Sequence, residues 1–109
     1  MNEAFAYKFR TSLSIEQIYS RLRWFGPWKW DQRDNDNWDF YMSAVPVENA
    51  RVRILNDPAE PGWFVVDVWM RSADASLRSR TLAKLGRTLH RWVFRLIRAK
   101  SVTTTAAID

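Results

Sequence analysis

The sequence predicts an α+β domain of β-α-β-β-β-α order, with two helices packed on one face of an antiparallel sheet. Four segments alternate apolar and polar residues with a period of two, and two segments repeat apolar residues with the helical period. Gly, Pro, Asn and Asp cluster between them and supply the turns. With 109 residues, 47% of them hydrophobic, the chain has the size and apolar content of one domain with one core. Residues 1–100 hold every patterned segment. The last nine residues, SVTTTAAID, have neither periodicity nor bulk and are expected as a disordered C-terminal tail.

The first strand is AFAYKFR, where Phe5, Tyr7 and Phe9 share one side and Ala6, Lys8 and Arg10 the other. The helix after it carries its own start signal. Ser14 is an N-cap, Gln17 three residues on completes a capping box, and Leu13 with Ile18 forms a hydrophobic staple. Ile15, Ile18, Tyr19, Leu22 and Phe25 then follow the helical spacing until Gly26-Pro27 ends it. In WDFYMSA, Trp38, Phe40 and Met42 oppose Asp39, Tyr41 and Ser43; in ARVRIL, Val52 and Ile54 oppose Arg51 and Arg53. VPVEN joins these two strands as a hairpin. NDPAEPG is a turn leading into WFVVDVWMR, the most β-prone run, which sets Phe64, Val66, Val68 and Met70 against Trp63, Val65, Asp67, Trp69 and Arg71. Three strands in series predict a meander. The last helix starts at Asp74 or Ser76 and runs to about Lys100, with Leu82, Leu85, Leu89, Trp92, Val93 and Leu96 in one stripe.

Between the first helix and the meander lies RWFGPWKWDQRDNDNWDF, Arg23 to Phe40, with four tryptophans and four aspartates. Asp31, Asp34, Asp36 and Asp39 are oxygen donors, but a calcium loop needs Gly at its sixth position and Glu at its twelfth. Counted from Asp34 these are Asp39 and Val45, so the segment is read as a solvated turn and no metal is expected. Trp24, Trp28 and Trp30 could stack on a ligand. They are read instead as a lid folded over one end of the sheet, since Trp is well buried on average.

The chain has no cysteine, which removes disulfides and thiolate chemistry, and no apolar run of the ~18 residues that a membrane helix needs. The first ten residues lack the basic and apolar regions of a signal peptide, so the cytoplasm is the default location. The excess of Arg over Lys suits a GC-rich genome, most simply a bacterial one. Residues 77–100 carry eight basic residues and no acid, while the rest of the chain has nine basic residues against twelve acids. One cationic element therefore sits on a mildly acidic body.

Arg80, Lys84, Arg87, Arg91, Arg95 and Arg98 line the side of the last helix opposite its apolar stripe. Such a row suits phosphates or an acidic protein surface. A membrane surface suits it least, because the apolar stripe is needed against the sheet. Asp67 lies among valines in the most apolar strand and is expected to pair with Arg51 or Arg53; His90, between the two stripes, is expected in boundary packing. There is no Ser/His/Asp spacing, glycine-rich phosphate loop or metal-ligand cluster, so no cofactor and no catalysis are expected. A carboxylate pair such as Asp39 and Asp67 is the one enzymatic alternative. The leading expectation is a non-catalytic protein-interaction module, binding a partner or itself as a homodimer. Its surface would be the sheet face bearing Tyr41, Arg51, Arg53, Trp63 and Trp69, or the basic helix. The alternative is a nucleic-acid-binding domain that places the six-residue cationic row on phosphates.

Overall fold

The computed structural model describes residues 2–33 and 40–105. Its elements are β1 (Asn2–Arg10), α1 (Ile15–Phe25), β2 (Trp30–Arg33), β3 (Tyr41–Ala44), β4 (Ala50–Asn56), β5 (Trp63–Arg71), α2 (Ala75–Thr88), a π-helical turn (Leu89–Val93), α3 (Phe94–Leu96) and β6 (Lys100–Thr105). The strands form one six-stranded sheet in the order β2-β3-β4-β5-β1-β6, with every neighbouring pair antiparallel. This is the expected α+β domain, with two strands more than the alternation shows. The helices cover one face only.

The core lies between that face and the helices. β1 contributes Phe9, β3 Met42, β4 Val52 and Ile54, and β5 Val66 and Val68; Ile18 and Leu22 of α1 meet them from above. Burying each such side chain stabilises the fold by about 1.5–3 kcal/mol. The N-terminus of α1 is built as its residues dictate. Ser14 Oγ accepts from Gln17 N at 3.2 Å, and Gln17 Oε1 accepts from Ser14 N at 2.8 Å. At its other end Gly26 N donates to Leu22 O, and a Cβ on Gly26 would fall 2.6 Å from that oxygen. Only glycine fits there.

Phe25, expected on the buried stripe of α1, is 72% exposed instead. It is the last helical residue, and the chain turns off at Gly26 before the sheet can cover it.

The Trp-rich segment is only partly the expected lid. Trp30 is buried in β2 opposite Ala44, and Trp28 packs beside it with ring centroids 6.0 Å apart. Trp24 is 71% exposed, with the Arg23 guanidinium over its ring. Trp38 and the aspartates at 34, 36 and 39 lie outside the described residues. β2 was invisible to alternation because WDQR, an edge strand, buries a single residue.

The long C-terminal helix is present, capped by Asp74, whose side chain accepts from Leu77 N at 3.0 Å. Its apolar stripe is not the expected one throughout. The π-helical turn inserts one residue into the repeat, so the core positions after Leu89 pass to Val93, Phe94 and Ile97. Trp92, expected inside, is 56% exposed, and Leu96 is half-buried. The helix closes with Ala99 N donating to Phe94 O and Arg98 N to Arg95 O, leaving Arg98 at φ 54°. Arg98 thus belongs to the cap rather than to the helical row.

The tail differs as well. Lys100–Thr105 form an edge strand on β1, pairing Thr103 with Lys8 and Thr105 with Ala6. A Thr run is β-prone without being apolar, so its strand is carried by backbone hydrogen bonds that hydropathy does not register. Residues 106–109 lie outside the described residues.

Candidate functional site

Two surfaces hold the residues singled out by the sequence. The first is the helix-free face of the sheet. Registry places Ser43, Arg53, Asp67 and Ala6 side by side across β3, β4, β5 and β1. Asp67 is fully buried and receives two hydrogen bonds from Arg53, Nε to Oδ1 at 3.0 Å and Nη2 to Oδ2 at 2.6 Å. This fork is the strongest geometry a guanidinium offers a carboxylate. The Arg53 guanidinium also lies 5.3 Å from the centre of the Trp69 ring, and that of Arg51 lies 5.4 Å away. In the next row Leu55 and Val65 are buried beside Ala6, with half-buried Tyr41 packed on them.

Lys8 closes the far corner of this face. Its Nζ lies 3.1 Å from Asp57 Oδ2, 2.6 Å from Glu60 Oε1 and 5.2 Å from the Trp63 ring centre. The hydrogen bonds to Glu60 and then Asp57 raise the Lys8 ammonium above the ordinary lysine range. Burial pushes the Asp57 carboxyl up, but the Ala59 amide and Lys8 outweigh it, and it sits below the usual carboxylate range. The aromatic and arginine side chains of this face are thus largely engaged with their own neighbours. Arg51 is exposed, while Trp63, Trp69 and Tyr41 are half-buried.

The second surface is the outer side of α2 and its continuation. Arg80, Lys84, Arg87, Arg91, Arg95 and Arg98 are all exposed, and none forms an ion pair among the described residues. Arg80 donates weakly to Ser76 O at 3.4 Å, within its own helix. Arg78 turns the other way, is buried, and donates to Ser72 O.

Beside this row runs an open groove of about 1110 Å³, between the helix and β1. Half-buried Phe5 and Tyr7 form its floor, and Lys84, Arg87, Arg91 and Arg95 stand along its wall. Trp92 stands at its rim. His90 is exposed, with its ring edge-on to Tyr7 at 4.9 Å and to Phe94 at 5.1 Å. The expectation of boundary packing for His90 fits this position.

Four groove residues were named from the sequence as a cationic row. The apolar part was missed: Phe5 and Tyr7 read only as a core face, and Trp92 as a core residue. The one trace was that Phe94 lies five residues after Leu89, off the regular helical repeat.

Of the enzymatic pair, Asp39 lies outside the described residues and Asp67 is held by Arg53. Among the described residues no group of three or more His, Asp or Glu could hold a metal ion, and no helix is long and apolar enough to cross a membrane. No protein-family model matches the chain, and no curated protein matches it.

Proposed function

We propose that the protein is a non-catalytic interaction module of the cytoplasm that binds an acidic protein surface through the cationic side of α2. The observation that carries this reading is the exposed row Lys84, Arg87, Arg91 and Arg95, without ion pairs among the described residues, along a groove with an aromatic floor. Like charges four residues apart on a helix destabilise it by a few tenths of a kcal/mol per pair, so intrinsic stability alone does not favour this arrangement. A complementary partner removes that repulsion and gains steering from the same field. The aromatic floor favours a protein over a bare polyanion, because it can take an apolar side chain.

The test is capture from cell lysate on the tagged protein and on its Arg87→Glu/Arg91→Glu variant, with and without nuclease. A discrete protein that survives nuclease, is released by salt and is absent from the variant supports the reading. Bound material that absorbs at 260 nm and disappears with nuclease overturns it in favour of nucleic acid. That second reading is favoured by the exposure of all six predicted cations. It would show a steep fall of affinity with salt. Its weakness is geometric: Trp63 and Trp69, the bases' expected stacking partners, lie on the sheet face opposite α2.

A further inference from the structure

We infer that the occupant of the α2 groove is an amphipathic acidic helix, which seats one large apolar side chain on Phe5 and Tyr7 and sets its carboxylates against Lys84, Arg87, Arg91 and Arg95. This rests on the proposed function and names the chemistry of the partner.

The helical layer is incomplete along one edge of the sheet. β6 is the edge strand beside β1; of its helix-side residues Val102 is half-buried against the core, while Thr104, opposite Tyr7, is exposed. The layer of helices therefore stops short of that edge. The vacant place lies alongside a helix, where a second helix packs at about 8–10 Å. Its floor is aromatic and half-buried, so an apolar side chain laid there removes further ring surface from water.

The charge pattern of the row fits the same occupant. From Lys84 to Arg95 the row spans about 16 Å at ~1.5 Å per residue. A helix of about a dozen residues matches that length, and Glu or Asp at every third or fourth position would face each cation in turn. A phosphate backbone would satisfy the cations and leave the aromatic floor empty.

Trp92 completes the surface. A regular α-helix would carry it toward the core, but the π-helical turn at Leu89–Val93 turns it out to the groove's rim. Such one-turn insertions occur frequently at functional sites. An exposed Trp beside a cationic row is the residue type that anchors interfaces.

The experiment uses two labelled synthetic helical peptides, followed by fluorescence anisotropy with the full chain. Both are rich in Glu; one has a single central Phe and the other Ser in its place. The Phe peptide is expected to bind at least about tenfold more tightly, and Trp92→Ser to erase that difference while leaving the thermal midpoint unchanged. Arg87→Glu/Arg91→Glu is expected to weaken both peptides. Equal, salt-sensitive binding of the two peptides would overturn the anchored helix and leave the acidic-partner reading standing. Binding of neither peptide, or tighter binding of a mixed-sequence oligonucleotide than of either, would overturn both.

Discussion

Arg53 and Arg91 are both arginines of one small domain, and they live in opposite circumstances. Arg53 is buried on the helix-free face, forked onto Asp67 and packed over Trp69. Arg91 is exposed on the groove and has no ion pair among the described residues. The same contrast separates Lys8, clamped by Asp57 and Glu60, from Lys84. Lys8 and Arg53 on the sheet face are matched by acids of the chain itself, and Arg51 lies over Trp69, so that face has become a structural layer without needing a helix. Lys84, Arg87, Arg91 and Arg95 form no ion pair within the described residues, so their complement is sought in another molecule. A row of arginines is thus informative only once the carboxylates near it are counted.

The buried pair on the sheet face is the most sensitive point of the fold. Asp67→Ala leaves the Arg53 guanidinium buried without its carboxylate and should cost about 3–5 kcal/mol, a large part of a small domain's stability. Arg91→Ala should change stability by no more than about 0.5 kcal/mol. Urea denaturation of the two variants reads the difference directly. Equal losses would dissolve the distinction between the faces. If Asp67 served catalysis alone, its substitution by Asn would leave stability untouched.

Two glycines sharpen the comparison at the level of the backbone. At Gly26 a Cβ meets Leu22 O at 2.6 Å, so Gly26→Ala should cost about 1–3 kcal/mol. At Gly86, inside α2, a Cβ would meet Phe5 and Tyr7 at 3.6 Å, an ordinary contact. Gly86→Ala should therefore stabilise the helix by about 0.5–1 kcal/mol, seen as a higher thermal midpoint.

The smallest effect is the pH response of the Lys8 clamp. The Asp57 carboxyl is held below its ordinary range, so its contribution is present above that range and is lost as pH falls through the lowered native value. The Lys8 ammonium is held above its ordinary range, so its contribution is present below that range and is lost as pH rises through the raised value. Lys8→Met should flatten both limbs of a plot of urea midpoint against pH. The change should be slight, because solvent screens the pair.

How much of this was legible in the sequence differs from element to element, for physical reasons. The capping box at Ser14 and Gln17 is local chemistry and was read correctly, as was the division of β5 into two faces, although Val65 and Asp67 are buried on the helix-free face as well. The Asp67 partnership was narrowed to Arg51 or Arg53, and registry decided it by placing Arg53 directly opposite. β2 and β6 were missed because edge strands bury little and are held by backbone pairing. The outward position of Trp92 was missed because a single inserted residue shifts every later position of a helical stripe, while the residues Val93, Phe94, Leu96 and Ile97 offer apolar groups to either phase. The cationic row was plain from spacing. Its groove was not, because the floor comes from a strand some eighty residues away in the chain.

The most direct test of the account is an NMR titration of the full chain with the Glu-rich Phe peptide, following backbone amides and the indole N–H signals of Trp92, Trp63 and Trp69. Shifts are expected at Phe5, Tyr7, residues 82–95 and the Trp92 indole, with Arg51, Trp63 and Trp69 unmoved. Shifts centred on Arg51, Trp63 and Trp69, with the α2 groove silent, would contradict it and return the binding surface to the sheet.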